Sequence, residues 1–384
     1  MEKLVLIDGN SLSFRAFFAL PLLTNKAGVY TNAIYGFTMI LDKIIKEEAP
    51  THFMVAFDAG KTTFRNNMYS EYKGGREKTP DELRSQLPYI RQLVESYHIK
   101  HYELENYEAD DIIGTLSKQA DEKNLKTIII TGDRDLTQLA SENVTIYYTK
   151  KGVTDIDHYT PDFIAEKYDG LVPNQIIDMK GLMGDKSDNI PGVPGIGEKT
   201  AIKLLKQYET VEGVYQNIDE LKTSKMKEKL IDNEDNAKLS KELATINRDS
   251  PIEVTIEDLK LTDDNDEEKI KLFKTLEFKQ LLDQMDASTE AYDDRVIEYQ
   301  EHLNDFDFEN ITEAAIHFET NENNYLKADV LGFAIHANDQ AYVVSAEELK
   351  ENKALHAWLE NENVHFSVDD AKKTIILCER LGIK

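Results

Sequence analysis

The chain has 384 residues, with 45 Lys plus Arg against 72 Asp plus Glu, a net charge of −27. Its 41% hydrophobic content, including 15 Phe and 18 Tyr, is too much core material for a disordered acidic chain, and its length allows two or three domains. Cys378 is the single cysteine, which excludes a disulfide scaffold, and the early apolar run at 4–7 stops at Asp8, so neither a signal peptide nor a spanning helix is expected and the protein is read as cytoplasmic.

The first 150 residues alternate β-branched runs with amphipathic segments, the pattern of a parallel α/β sheet. Strands are predicted at 4–8, 52–58, 127–133 and 144–149, with helices at 33–48, 81–97 and 108–123. Three of those four strands end on an aspartate: Asp8, Asp58 and Asp133. In an open α/β sheet, ligands bind beyond the carboxyl ends of the strands. From residue 160 the pattern turns helical, with a Gly/Pro-rich stretch at 181–200, a helix at 201–208 and further helices to 247. A strand-like piece at 252–256 leads to a helix at 267–285. Residues 286–294 have no apolar periodicity and read as a linker. A second α/β pattern follows, with strands at 314–318, 330–336 and 341–344 and helices at 355–360 and 371–381. There is no internal repeat.

Acid density points to chemistry. Glu108, Asp110 and Asp111 open the helix at 108–123; Asp133 and Asp135 follow a strand; Asp185 and Asp188 lie in a Gly-rich loop. With Asp8 and Asp58 these are nine acids from five segments. Gathered into one site, they would raise each other's pKa values unless cations sat among them. Oxygen ligands without His or Cys suit Mg²⁺ or Mn²⁺ and not zinc. Two such ions roughly 4 Å apart are a known device for phosphodiester cleavage. Acids gathered around cations also add little to the outer field, so the net charge does not argue against nucleic acid. Any one aspartate could simply cap the helix or turn that follows it.

Residues 61–91 are locally basic, with Lys61, Arg65, Lys73, Arg76, Lys78, Arg84 and Arg91 interleaved with Phe64, Tyr69 and Tyr72. Such a segment suits single-stranded nucleic acid, although a solvated loop has the same composition. The run Gly192-Val193-Pro194-Gly195-Ile196-Gly197-Glu198-Lys199-Thr200 is not a P-loop, because Glu198 precedes the lysine and no strand leads into it. It reads as a turn between helices that lets a phosphate backbone approach, or as a plain helix-linking turn.

Leu6-Ile7-Asp8-Gly9-Asn10-Ser11, Tyr107-Glu108-Ala109-Asp110-Asp111-Ile112-Ile113-Gly114-Thr115, Thr131-Gly132-Asp133-Arg134-Asp135 and the run Gly184-Asp185-Lys186-Ser187-Asp188-Asn189-Ile190-Pro191-Gly192 resemble the 5′-nuclease domain of bacterial DNA polymerases I of the firmicute type, over about residues 1–285. The resemblance implies an α/β, PIN-like flap-endonuclease fold (1–165) with a helical arch at about 60–95. A helix-two-turn-helix duplex-binding region (166–285) and a linker (286–294) would follow. It implies 5′→3′ exonuclease and flap-endonuclease action on duplex DNA and on primer RNA. Asp8, Asp58, Glu108 and Asp110 then match the first metal site, Asp133, Asp135 and Asp185 the second, and Asp111 and Asp188 the accessory acids. Lys73 and Arg76 match arch bases facing the scissile phosphate. Arg15 and Arg65 match phosphate contacts, with Tyr72 beside them. Gly192, Gly195, Gly197, Lys199 and Thr200 match the duplex-binding turn, which would also hold K⁺. The implied partners are nicked duplex, DNA with 5′ ends or flaps, and RNA–DNA primer junctions, bound by a monomer and without a membrane.

Residues 295–384 resemble the start of a 3′→5′ exonuclease-like, RNase H-like domain. Where proofreading versions have Asp-x-Glu, this chain has His317-Phe318-Glu319, so no proofreading is expected. Nothing matches a polymerase palm or fingers. Two rivals differ in class: a DNA-binding module without catalysis, and a haloacid-dehalogenase-like phosphatase. The second needs an acid two residues after Asp8, where Asn10 stands.

Overall fold

The structure is a computed structural model that describes residues 2–60, 62–76, 78–150, 155–262, 266–289, 299–304, 306–321 and 325–383. The chain divides into two compact units, Met1–Ala287 and Ser288–Lys384. Among the described residues no helix is long and apolar enough to cross a membrane.

The first unit is built on a six-stranded sheet of β1 (Lys3–Asp8), β2 (His52–Ala56), β3 (Lys100–Tyr102), β4 (Lys126–Thr131), β5 (Val144–Thr149) and β6 (Ile156–Tyr159). The spatial order is β3-β2-β1-β4-β5-β6, parallel except for β6, which runs antiparallel to β5. A parallel sheet is covered on both faces, so its strands are continuous apolar runs. Leu4, Val5, Leu6 and Ile7 are accordingly all fully buried. Leu4, Leu6, Met54 and Ile129 face one core with Ile112, Ile113 and Leu116; Val5, Ile7, Phe53 and Ile130 face the other with Phe37, Leu41 and Leu93. The chain passes from β1 to β2 on one side and returns to β4 on the other, so the order reverses beside β1. Ligand sites in open α/β sheets lie at such a switch point.

Six helices serve this sheet: α1 (Gly9–Ala19), α2 (Asn32–Glu48), α3 (Phe64–Met68), α4 (Asp81–Arg84), α5 (Leu87–Ser96) and α6 (Ala109–Glu122). The single helix expected at 81–97 is two, because Pro88 starts a new first turn in α5 and offers no N–H to continue the preceding one. Buried Gln86 joins the break to the start of α2: its Oε1 accepts from Ala33 and Ile34 N–H, and its Nε2 donates to Asn32.

The helical region comprises α7 (Pro161–Lys167), α8 (Gln175–Met183), α9 (Glu198–Tyr208), α10 (Val211–Gln216), α11 (Lys225–Asp232), α12 (Glu234–Ala244), α13 (Glu267–Leu276) and α14 (Lys279–Thr289). The loop after α8 folds back so tightly that a Cβ on Gly192, whose φ is +59°, would lie 2.2 Å from the Gly184 nitrogen. The helix expected at 267–285 is interrupted at Glu277, which takes the left-handed conformation. No strand forms at 252–256; Val254 and Ile256 are buried in the core without a ladder partner, and Ile256 takes helical backbone angles at the start of a short 3-10 turn. Of the expected linker, α14 covers residues to Thr289, and residues 290–298 lie outside those described.

The second unit holds a sheet ordered β11-β8-β9-β10-β7, from β7 (Tyr299–Gln300), β8 (Glu313–Thr320), β9 (Val330–Ala337), β10 (Gln340–Ser345) and β11 (His365–Val368). Its helices are α15 (Ala346–Glu351), α16 (Lys353–Leu359) and α17 (Ala371–Leu381). Trp358 anchors the core among Phe306, Phe308 and Phe366 and donates its indole N–H to the Ile311 carbonyl.

Candidate active site

The carboxyl ends of β1, β2 and β4 and the start of α6 deliver acids to one edge. Asp8 closes β1 and caps α1, accepting from Ser11 N–H and from the Thr131 hydroxyl, each at 3.0 Å. Asp58, just past β2, accepts from Asn10 Nδ2 at 2.7 Å and from the backbone N–H of Ala109 at 2.8 Å, which ties β2 to the start of α6. Asp133 follows β4, and its Oδ1 takes the N–H of Asp135. The folded-back loop after α8 supplies Asp185 and Asp188.

The electrostatics show the cost of this gathering. Burial, and then the Asp58 and Asp133 carboxylates, push the Asp8 carboxyl up to about 7. Burial, Asp8 and Asp133 hold Asp110 well above the carboxylate range. Burial and Asp133 raise Asp135 to about 7 although an ammonium touches it. Burial also acts on Asp185, but Lys180 and Ser187 outweigh it and hold that carboxyl below its ordinary value.

Four cations stand among the acids. Lys73 Nζ lies 2.9 Å from Glu108 Oε1 and 4.0 Å from Asp188 Oδ2, and Arg76 is 2.5 Å from Asp188 Oδ1. Lys73 has φ +56°, and its N–H donates to the Asp188 carbonyl, while Asn189 Nδ2 donates to the Glu71 carbonyl; the 71–76 segment is thereby strapped across the acids. Lys180, from α8, bonds to both Asp135 and Asp185. Arg65 completes the set.

Three expected roles need correction. Arg65 is no phosphate contact: it is 2% exposed and forks onto Asp111 with two 2.8 Å bonds, its other donors going to the Leu243 and Thr245 carbonyls. Asp111 is no metal acid: it is fully buried, and beyond Arg65 its oxygens accept from Glu108 and Asn247 N–H. Tyr72 is no base-stacking surface: it is buried and its hydroxyl donates to Glu108 Oε2. In the glycine run, Gly192 is buried and its N–H donates to Ser240, whereas Gly195, Gly197 and Lys199 are exposed at the start of α9, with Thr200 half-buried beside them. Arg15 is half-buried at the rim, donating to the Lys150 carbonyl near Gly132. In the second unit, His317 lies 3.1 Å from Asp369 and 3.3 Å from Glu319.

Lys180 was missed at the sequence level. The signal available was a lysine five residues before Asp185, in the largely apolar run Ile176–Met183, whose only other charged residue is Asp178.

Asp8, Asp58, Glu108, Asp110, Asp133, Asp135, Asp185 and Asp188 are the acids that could hold a metal. They fit hard dications: all are oxygen donors, and burial with neighbouring carboxylates raises the Asp8, Asp110 and Asp135 carboxyls, a strain that a cation would relieve. Among the described residues no three such side chains already stand ready around one ion. Ammonium groups and backbone amides hold several of the oxygens instead.

Two predictions follow from the pairing. Arg65→Met strands the Asp111 charge and should cost about 3–5 kcal/mol of unfolding free energy; a urea midpoint unchanged from wild type would contradict the pairing. A folded-state pKa above the unfolded one means that the folded chain holds more protons between about pH 4 and 7, so stability falls as pH rises through that window. Asp8→Asn should therefore stabilise the protein in EDTA at pH 8, with the gain shrinking toward pH 5. Thermal melts at the two pH values read this directly, and a variant less stable at pH 8 would contradict it.

With this geometry in place, likeness to known proteins is informative. The family model for the 5′-3′ exonuclease N-terminal resolvase-like domain matches residues 3–169 and that for its C-terminal SAM fold matches 171–267. The model for the DNA polymerase I ribonuclease H-like domain matches 316–384. DNA polymerase I of Bacillus subtilis (strain 168) is 49% identical over 393 residues, covering 100% of this chain and 44% of the relative. DNA polymerase I of Streptococcus pneumoniae (strain ATCC BAA-255 / R6) is 45% identical with the same coverage. The chain thus spans less than half the length of these relatives. Zinc-bound T5 5′-exonuclease superposes with a TM-score of 0.54 at 23% identity, over 64% of this chain and 90% of that one. Bacteriophage T5 D15 flap endonuclease, in a pseudo-enzyme-product complex with DNA and metal ions, superposes at 0.53 with the same coverage. Both likenesses show the fold. The two 5′-3′ exonuclease family models over residues 3–267, followed by the DNA polymerase I ribonuclease H-like model, and the DNA polymerase I relatives that match over the whole chain place it in the 5′-3′ exonuclease family.

Proposed function

We propose that the chain is a divalent-metal-dependent 5′→3′ exonuclease and 5′-flap endonuclease that hydrolyses phosphodiester bonds of duplex DNA, and of RNA primers on DNA, as a monomer. The observation that carries this reading is the excess of buried carboxylates at the switch point of the sheet, which raises Asp8, Asp110 and Asp135 until cations relieve it. The metal-bound T5 relatives and the polymerase I sequences support the same reading.

In this proposal Asp8, Glu108 and Asp110 hold one Mg²⁺, and Asp133, Asp135 and Asp185 hold a second, with Mn²⁺ as a substitute. Asp58 and Asp188 would support the two ions from outside these sets. When bound, the pair neutralises the attacking and leaving oxygens of an in-line displacement. The chain's own groups do the rest. The exposed turn at Gly195, Gly197, Lys199 and Thr200 presents backbone N–H groups and a lysine to a duplex backbone, with K⁺ held by its carbonyls. Lys73 and Arg76 exchange their carboxylate partners for the scissile phosphate, so the strap opens as substrate enters. Arg15 pairs with a further phosphate at the rim. No side-chain nucleophile is needed.

Asp133→Ala should remove cleavage of a labelled 5′-flap by at least about a thousandfold while leaving flap affinity in Ca²⁺ within about threefold. Cleavage at the wild-type rate would sink the assignment. Lys73→Ala should lower the single-turnover rate by about a hundredfold; an unchanged rate would take Lys73 out of the reaction.

A further inference from the structure

Lys180 and Arg65 are the cations of the cluster that the proposed chemistry leaves without a task, and of the two Lys180 bonds directly to acids proposed for an ion. Its side chain is 10% exposed and anchored in α8, whose Ile176, Met179 and Leu182 are buried in the core. It stands on one oxygen of Asp135 and one of Asp185, in the middle of the acids proposed for the second ion. The remaining oxygen of Asp185 already accepts from the Ser187 N–H and hydroxyl, at 2.8 and 2.5 Å. Both oxygens of Asp185 are thus engaged, and a dication approaching them meets the charge of the lysine while it stays. Lys73 differs: its side chain is 24% exposed on a loop and has a path out into solvent.

We propose that Lys180 is a built-in competitor of the second cation, holding Asp135 and Asp185 together in the metal-free protein and displaced from them when a dication enters. This inference rests on the two-cation reading above. The physical reason is charge balance. One ammonium offsets one of two buried carboxylates, enough to keep the pair from repelling, and a dication must repay both the broken ion pair and the repulsion from a lysine that the helix keeps close. The second site is thereby weak in the free protein and strengthens once substrate phosphates add negative charge there. Lys180 is a positioning residue in this scheme.

Mn²⁺ binding to the full chain without DNA, followed by the loss of the free-ion signal in electron paramagnetic resonance, tests the proposal apart from activity. Wild type should take up two ions of unequal affinity. Lys180→Met should tighten the weaker one by about tenfold or more, and Lys180→Arg should restore the wild-type isotherm. In EDTA, Lys180→Met should melt lower than wild type, and saturating Mn²⁺ should close the gap. Superimposable isotherms for wild type and Lys180→Met, with two ions bound in each, would overturn the competitor and leave the two-cation site standing. Failure of both proteins to bind two ions would overturn the site and the competitor together. If Lys180→Met does not fold in EDTA, Lys180→Gln, which keeps hydrogen-bond donors and drops only the charge, is titrated with the same criterion.

Discussion

Like charges cannot be buried side by side without a counter-charge, and this constraint organises the first unit. The sheet brings Asp8 and Asp133 to one edge because β1 and β4 are neighbours, and α6 adds Asp110 from across the crevice. Two of these acids answer the repulsion by holding protons near neutrality or above. Others answer it with ammonium and guanidinium groups drawn from the arch segment, from α3 and from α8. Each answer leaves the metal-free protein a folded object, and each is reversible at a different cost.

The pairs fall into two kinds. Arg65 with Asp111 is permanent: both are buried, the fork is bidentate, and the same guanidinium ties α3 to the end of α12 through backbone carbonyls. It seats α3 on α6. The pairs of Lys73, Arg76 and Lys180 are exchangeable, because each of these cations stands on an acid proposed to serve an ion. Segment 71–76 is thus held by the same charges that a phosphate and a metal would claim in the proposed reaction.

Much of this was legible in the chain. Strands that end on acids, and a Gly/Pro loop with two more, announced the edge at which they meet, since a parallel sheet has one carboxyl edge. The misreadings share a physical cause. Asp111 was grouped with Glu108 because residues three apart share a helix face, yet that spacing also describes a capping box, in which the acid turns back to the Glu108 N–H. Arg65 looked like any other base of a cationic segment, because its partner lies 46 residues away and only the fold shows that it is buried. Tyr72 went the same way, its hydroxyl turned to Glu108 across 36 residues. Lys180 was invisible for the opposite reason: one lysine in a mostly apolar helix carries no pattern until its neighbours are known. The short edge strands β3 and β6 escaped because three- and four-residue strands are too brief for periodicity to register.

The central claim is that this acid cluster is completed by two hard dications. Anomalous diffraction at the manganese edge, from crystals of the full chain grown with Mn²⁺, tests it most directly. The account predicts two peaks roughly 4 Å apart, one against Asp8 and Asp110 and one against Asp133, Asp135 and Asp185, with the Lys180 ammonium withdrawn from the second. Fully occupied crystals with no peak among these carboxylates, and Lys180 still seated between Asp135 and Asp185, would contradict it.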